Sequence, residues 1–273
     1  MILQNKNAVI YGAGGSLGGA VARAFAAAGA RVFLTGHRLA SIQKVADEIV
    51  ASGGKAEVDV VDGYDEGGVA AHLEKMRQRA GSVDITYNGI DIPVVQNIPL
   101  TEIPLDDYVR PVMLTARTRF LTAKAAAKIM MEQRSGIILS ITATPGGIGY
   151  PYTGGFAAAC AAVESLSRNL ASELGPYGIR VVNIRSGGSP DSAVFRNAIE
   201  QFPAVMEDVL RGMAGDTMLK KLPPMADIAN TAVFLASDLA ASITGVTVDV
   251  TSGTTAALNY RVNLATFGQN FKA

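Results

Sequence analysis

The chain has 273 residues, of which 49% are hydrophobic, and its 24 basic side chains balance its 24 acidic ones. This length can form one large α/β domain or two small ones, and the neutral charge gives no electrostatic reason to bind nucleic acid or an anionic membrane. The single cysteine excludes an internal disulfide framework and a cysteine-based zinc site, and the only two histidines, His37 and His72, lie far apart, so we expect no metal site.

The N-terminal segment "MILQNKNAVIYG" is too short and too quickly polar for a signal peptide. No apolar run in the sequence reaches the roughly 18–20 residues of a membrane span. We therefore expect a cytoplasmic protein.

Short apolar segments and longer helical patterns alternate along the rest of the chain. Segments typical of buried strands lie at 7–12, 31–36, 56–62, 83–89, 135–142, 178–184 and 245–250. Helical patterns lie at 16–30, 40–54, about 65–80, about 106–131 and about 153–174, and a helix that could cover a substrate lies at about 191–214. This alternation predicts a parallel sheet with helices on both faces. Because no linker, charge run or repeat interrupts it, we predict a single domain over residues 1–273.

The glycine-rich segment "YGAGGSLGGA" lies between the first strand and the first helix, where a doubly wound fold binds phosphate groups. Glycines there let the backbone approach a pyrophosphate, and the helix offers free N–H groups and the positive end of its dipole. The alternative is that the glycines serve only a tight strand-to-helix turn. The candidate cofactor-binding residues are Gly12, Gly14, Gly15, Ser16, Leu17 and Gly18.

The second strand ends in "TGHR", at the position that distinguishes NAD from NADP in such folds. An acidic residue there would bind the adenine ribose hydroxyls and select NAD, but Gly36 occupies the position and His37 and Arg38 follow it. A cation suits the 2′-phosphate of NADP, although an ordinary arginine in a solvated loop would give the same pattern. We therefore predict NADP as the cofactor, with NAD as the alternative.

With these residues in hand, the chain from about residue 6 to about residue 255 resembles the short-chain dehydrogenases/reductases. The family's glycine pattern, Thr-Gly-x-x-x-Gly-Ile-Gly, is similar to residues 11–18, with departures at two positions. The segments that match the family very specifically are 170–184 and 226–250. The resemblance implies one Rossmann-type domain with a seven-stranded parallel sheet, a nicotinamide cofactor, a small-molecule substrate, and assembly as a homodimer or homotetramer.

The resemblance also implies further cofactor contacts. "VDV" is similar to the strand end at which two residues, here Asp59 and Val60, flank the adenine. "VDITYNGID" is similar to the family segment ending Asn-Asn-Ala-Gly, of which Asn88 is retained.

The family's catalytic residues are where this chain departs from it. In the family a tyrosine exchanges the substrate proton, and a lysine four residues later lowers the pKa of that tyrosine and holds the nicotinamide ribose. In "YPYTGGFAAAC" these positions align with Phe156 and Cys160. The family's asparagine on the preceding helix aligns with Thr115, and its serine aligns with Thr142 or Ala143. Phenylalanine has no proton to donate, and a neutral cysteine cannot replace an ammonium group.

Two other residues are candidates for the missing chemistry. Tyr152 lies four residues before Phe156 and would share a helical face with it, so its hydroxyl could donate the proton. The hydroxyl of Thr142 could bind a carbonyl oxygen. The alternatives are that Tyr150 and Tyr152 pack at a cavity rim or subunit contact, and that local backbone groups bind Thr142. Cys160 is typical of a small buried side chain rather than a nucleophile, because apolar surroundings raise a thiol pKa.

Three functions fit these residues. The chain could be an NADP(H)-dependent oxidoreductase that acts on a carbonyl or alcohol with a non-standard or degenerate catalytic site. It could also be a catalytically silent nucleotide-binding homologue with a structural or regulatory role, or a non-redox lyase or isomerase. The family resemblance favours the first function, whereas the missing catalytic residues favour the other two. The aromatic segment and the amphipathic helix at 195–213 indicate an apolar or ring-bearing ligand.

Overall fold

The computed structural model describes residues 1–257, which form one parallel sheet with helices on both of its faces. The strands are β1 (Asn7–Tyr11), β2 (Arg31–Gly36), β3 (Lys55–Val60), β4 (Ile85–Asn88), β5 (Gly136–Ala143), β6 (Ile179–Ser186) and β7 (Thr247–Val250). The α-helices of this part of the chain are α1 (Ser16–Ala27), α2 (Leu39–Ala51), α3 (Glu66–Ala80), α4 (Leu105–Gln133), α5 (Phe156–Leu174), α6 (Ala193–Gln201), α7 (Pro203–Gly215) and α8 (Met225–Ala236). The predicted fold class is confirmed. The last residues of the predicted 1–273 domain lie outside the described range.

The strand order is β3-β2-β1-β4-β5-β6-β7, and every neighbouring pair is parallel. Alternate residues of a strand point to opposite faces, so Ile10 contributes to one core and Val9 to the other. The Ile10 core includes side chains of α1, α2 and α8, such as Phe25. The Val9 core includes side chains of α3, α4 and α5, such as Met130. This two-sided burial explains why the central strands read as continuous apolar runs.

Residues outside the apolar pattern set the ends of several helices. Asp65 caps α3 by accepting a hydrogen bond from the N–H of Gly67 at 3.0 Å, and Gly81 ends the helix in the left-handed conformation. None of the helices in residues 1–257 is long and apolar enough to cross a membrane.

Two helices differ from the predicted boundaries. The segment predicted as one helix over about 191–214 forms α6 and α7, because Phe202 leaves the helical conformation with φ −138° and ψ 61°. Pro203 is the cause, since its ring disfavours a helical residue before it and it cannot donate to the preceding turn. The helix predicted from about 153 begins at Phe156, because Tyr152 and Gly154 both have positive φ.

Candidate active site

The candidate site lies at the carboxyl ends of the central strands, where the sheet order reverses direction. The chain passes from β1 outward to β2 and β3, and then returns to place β4 on the other side of β1. Connections that leave in opposite directions open a crevice above the strand ends, and such crevices bind dinucleotides. The ends of these strands lie close together, since Tyr11, the last residue of β1, pairs in register with Thr35 near the end of β2 and with Asn88, the last residue of β4.

The glycine segment follows β1 into this crevice. Gly12 has φ +76°, and a Cβ atom placed on it would lie 2.6 Å from the carbonyl oxygen of Gly89, so a side chain does not fit there. A Cβ on Gly18 would collide with the carbonyl oxygen of Gly12, and a Cβ on Gly14 would collide with the hydroxyl of Ser41. The glycines therefore bring the start of α1 close to the loop that follows β4.

The start of α1 is suited to bind an anion. Gly15 is the N-cap residue and has no side chain to accept hydrogen bonds, so the first N–H groups of the helix, from Ser16 to Gly18, have no capping partner. The hydroxyl of Ser16 instead accepts a hydrogen bond from the N–H of Ala193, at 2.9 Å, which links this segment to the start of α6. Uncapped N–H groups, the helix dipole and a close backbone together fit the pyrophosphate of a dinucleotide.

His37 and Arg38 lie immediately beyond β2 on the same edge of the sheet, and both are exposed. Arg38 is the N-cap residue of α2, and its carbonyl oxygen accepts a hydrogen bond from the hydroxyl of Ser41 at 2.8 Å. Within residues 1–257 neither His37 nor Arg38 takes part in an ion pair. The guanidinium of Arg38 is therefore exposed to solvent beside the crevice.

Asp59 and Val60 end the edge strand β3 in a different environment. The carboxylate of Asp59 accepts a hydrogen bond from Arg79 at 2.7 Å and lies 3.4 Å from Nε2 of His72, both on α3. Burial lowers the pKa of His72, and the nearby Asp59 partly offsets this effect. Val60 is exposed. The structure thus places the Asp59 carboxylate against α3 and does not bring it together with the glycine segment.

Asn88 joins β4 to α4. Its side-chain amide donates to the carbonyl oxygen of Thr118 at 3.2 Å and to the hydroxyl of Thr122 at 2.8 Å. Its side-chain oxygen accepts hydrogen bonds from the N–H of Ile90, at 3.1 Å, and from the guanidinium of Arg119. Asn88 therefore fixes the loop that approaches the glycine segment.

The positions aligned with the family's tyrosine and lysine lie at the start of α5. Phe156 is the first residue of that helix and is half-buried. Cys160 lies one turn later and is buried, and burial raises the pKa of its thiol, so the thiol is neutral. Thr115 is buried on α4. No proton donor is found at these three positions other than the neutral thiol and the threonine hydroxyl.

Thr142, near the end of β5, has its hydroxyl engaged inside the protein. It donates to Oε1 of Glu164 at 3.0 Å and accepts from Nδ2 of Asn183 at 2.7 Å. Glu164 lies on α5 one turn after Cys160, and its carboxylate is also bound by Arg185 through Nε at 3.1 Å and Nη2 at 2.6 Å. Arg185 donates with Nη1 to Asp249 at 2.8 Å. This network joins α5, β5, β6 and β7 beneath the turn at Thr144–Gly146.

Tyr152 lies outside the helix that was expected to carry it. It has φ +61° and its side chain is 55% exposed, while its carbonyl oxygen accepts a hydrogen bond from the N–H of Asn97 at 2.8 Å. The argument that Tyr152 and Phe156 share a helical face is therefore wrong, because α5 begins only at Phe156. Tyr150 is also exposed in the same loop.

Sequence reasoning missed two arginines near the carboxyl ends of the strands, the buried Arg119 and the partly buried Arg185. Arg185 follows the apolar run of β6, and Glu164 is the first charge after a long neutral segment, so the two were visible as isolated charges in apolar contexts. Arg119 is buried on α4 beside Asn88, and its position in an amphipathic helix gave no comparable signal.

Comparisons with known proteins bear on the whole chain. A family profile described as enoyl-(acyl carrier protein) reductase matches residues 12–255. The 3alpha-hydroxysteroid dehydrogenase of Mediterraneibacter gnavus is 30% identical over 247 residues, which cover 90% of this chain and 95% of that protein. The 3-oxoacyl-(acyl-carrier-protein) reductase FabG of Escherichia coli is 30% identical over 253 residues, which cover 93% of this chain and 98% of that protein.

Solved structures share the same architecture. Levodione reductase is 28% identical, with a TM-score of 0.85 over 93% of this chain and 99% of its own. Xylitol dehydrogenase with bound NAD+ is 23% identical, with a TM-score of 0.86 over 93% of this chain and 100% of its own. The likeness to xylitol dehydrogenase is one of fold alone.

Proposed function

The chain belongs to the short-chain dehydrogenase/reductase family of oxidoreductases, and from this premise we propose that it binds NADP(H) in preference to NAD(H). We further propose that it transfers hydride between this cofactor and a carbonyl or alcohol group of an apolar or ring-bearing compound. Its catalytic site is then a non-standard one, because Phe156, Cys160 and Thr115 occupy the aligned positions.

Two features that lie near each other support the cofactor most strongly: the uncapped start of α1 and the exposed guanidinium of Arg38. Gly12, Gly15 and Gly18 let the backbone approach a pyrophosphate at the start of α1. One strand away, Arg38 and His37 are exposed and lie where a dinucleotide bound across the crevice has its adenine ribose. A guanidinium there suits a 2′-phosphate, whereas NAD would leave its charge unpaired. NAD(H) is the alternative, because xylitol dehydrogenase of this fold binds NAD+.

The test is a titration of the protein with NADPH and NADH. The chain has no tryptophan, so the emission of the reduced nicotinamide itself is the signal. Tighter binding of NADPH is expected, and Arg38→Ala should weaken NADPH binding by about 1.5–3 kcal/mol, as expected for a hydrogen bond between charged groups, without a matching loss for NADH. Lys55→Ala is the control, since it removes an exposed cation at the opposite end of the sheet. Equal affinity for the two cofactors would refute the preference.

For the proton donor we propose Tyr152, with water as the alternative. Its side chain is exposed in the loop that leads into α5, four residues before Phe156. Tyr152→Phe should abolish reduction of a carbonyl panel while leaving NADPH affinity unchanged. Tyr150→Phe is the matched control in the same loop. Activity that survives Tyr152→Phe would exclude Tyr152 as the proton donor.

Thr142 is the proposed donor to the substrate oxygen. Because its proton is bound to Glu164 and its oxygen to Asn183, the hydroxyl has to turn away from Glu164 to reach a substrate. Thr142→Ser retains the hydroxyl and should retain turnover, whereas Thr142→Val should lower it. Equal turnover in the two variants would remove Thr142 from the mechanism.

The apolar character of the substrate is supported by α6 and α7. No residue of either helix is buried, and the exposed side chains of this segment include Val194 on α6, Val205 on α7, and Phe202 between the two helices. The hydrogen bond from Ala193 to Ser16 holds the start of α6 beside the glycine segment. We propose that these helices cover an apolar substrate next to the cofactor.

A further inference from the structure

Arg119 is a buried cation without a carboxylate partner in the part of the chain that the structure describes. The residue is 7% exposed and forms no ion pair with residues 1–257. Its guanidinium donates to neutral acceptors, the side-chain oxygen of Asn88 and the carbonyl oxygen of Ile90 at 3.2 Å, and its Nε has no partner. Burying a charge is costly unless it is paired, so a single unpaired guanidinium in an enclosed position is unusual.

The groups around Arg119 do not neutralise it. The thiol of Cys160 and the phenol of Tyr87 are both buried, and burial raises the pKa of each, so both are uncharged. Asp91 and Tyr64 act on Arg119 only from a distance. Burial lowers the pKa of Arg119 to about 10, so the side chain is still positively charged at neutral pH.

Arg119 is held at the carboxyl end of β4. Its two acceptors, Asn88 and Ile90, belong to the end of β4 and the loop beyond it, and this loop is in contact with Gly12. A dinucleotide in such a crevice has its pyrophosphate at α1 and its adenosine toward β2. Its other half then extends over β4, on the side where Arg119 carries its charge.

We infer that Arg119 is an electrostatic positioning residue of the cofactor site, and that its charge makes this protein bind the reduced dinucleotide more tightly than the oxidised one. This inference rests on the proposed function. The oxidised nicotinamide ring carries a positive charge and the reduced ring is neutral, whereas the two forms are otherwise nearly identical. A fixed cation beneath the site therefore repels one form and not the other.

The experiment measures the dissociation constants of NADPH and NADP+ for the wild type and for three variants. Arg119→Gln removes the charge but retains an amide donor for Asn88 and Ile90. Arg119→Lys retains the charge with a different shape. Arg117→Gln is the control, because Arg117 lies on the same helix but is exposed, and donates to the carbonyl oxygen of Tyr64. Melting temperatures without cofactor identify any variant that does not fold.

The expected result is a preference for NADPH in the wild type that falls on the order of tenfold in Arg119→Gln, as one charge acting through a partly screened site implies. Arg119→Lys and Arg117→Gln should keep the wild-type preference. If the role of Arg119 were purely structural, Arg119→Gln would weaken the binding of NADPH and NADP+ equally, or would weaken neither. An unchanged ratio of the two constants in Arg119→Gln would overturn the inference, and so would loss of the ratio in Arg119→Lys.

Failure of the proposed function gives a different result. If the wild type binds neither NADPH nor NADP+, the cofactor assignment is refuted, and the role of Arg119 falls with it. If the wild type binds both forms but the ratio of their dissociation constants does not change in Arg119→Gln, the cofactor assignment stands and the role of Arg119 is refuted.

Discussion

Removing Arg185 is expected to destabilise the protein more than removing the carboxylate that it binds. The side chains of Arg185 and Glu164 are only 13% and 7% exposed, and two hydrogen bonds join them. Arg185→Met leaves the Glu164 carboxylate buried, with the hydroxyl of Thr142 as its remaining donor. Glu164→Gln leaves Arg185 with a second carboxylate, that of Asp249, at 2.8 Å. Arg185→Met therefore leaves a carboxylate without a cationic partner, whereas Glu164→Gln leaves a guanidinium that is still paired.

The magnitudes follow from this inequality. Breaking a buried pair by removing one partner costs about 3–5 kcal/mol, and we expect Arg185→Met to cost about 3 kcal/mol because the site is not fully enclosed. Glu164→Gln should cost about 1–2 kcal/mol, since the amide still accepts a hydrogen bond and Arg185 keeps Asp249. The Asp249 carboxylate is 38% exposed, so its own pairing adds about 0–1 kcal/mol. The double variant Glu164→Leu with Arg185→Met should recover most of the loss, since replacing both members with apolar groups is often neutral.

The assay is urea-induced unfolding of all four proteins, followed by far-ultraviolet circular dichroism, with the free energy of unfolding taken from the midpoint and slope. The result that would refute this reasoning is a larger loss in Glu164→Gln than in Arg185→Met. A double variant that is less stable than Arg185→Met alone would also refute it, because removing both charges would then recover none of the loss.

Three further predictions concern catalysis, assembly and pH. Phe156→Tyr with Cys160→Lys should give little or no gain in turnover on a carbonyl panel, because residues that act as a unit are not restored in part; a gain of several orders of magnitude would contradict this. Light scattering should show a homodimer or homotetramer, since α4 exposes the large apolar side chains Met113 and Phe120; a monomer would contradict it. The free energy of unfolding should fall as the pH drops below about 6.5, because burial lowers the pKa of His72 below its ordinary value of 6.5 and the unfolded chain then binds the proton more readily. The contribution of His72 is complete above about pH 6.5 and is lost as the pH falls. In His72→Gln the free energy of unfolding, measured by urea titration at several pH values, should therefore depend less on pH.

The sheet could be predicted from the sequence because its signals are local. Each strand is a short apolar run between turn residues, and each predicted strand lies within a few residues of the observed one. The glycines after β1 were informative for a similar reason, since Gly12 and Gly18 occupy positions where a Cβ atom does not fit. The number of strands, seven, was implied by the family resemblance, whereas the order of the strands was not predicted.

Contacts between distant segments could not be predicted in the same way. Thr142 and Glu164 are 22 positions apart and Arg185 is a further 21 away, and no local pattern reports that their side chains meet. The split between α6 and α7 is a different kind of error. Pro203 stood inside the predicted helix and was a sufficient signal, but the amphipathic spacing on both sides of it favoured one continuous helix.

Arg185 and Arg119 differ in whether carboxylates neutralise their charge, and this difference distinguishes a structural role from a proposed functional one. Both arginines lie near the carboxyl ends of the strands, and both are largely shielded from solvent. The charge of Arg185 is paired with the carboxylates of Glu164 and Asp249, so it ties α5 to the strands β6 and β7. The charge of Arg119 meets only neutral oxygens in residues 1–257, and its desolvation has no compensating attraction there. The unneutralised charge of Arg119 is therefore the one that we propose acts on the nicotinamide ring, where it repels the positively charged oxidised form and not the neutral reduced form.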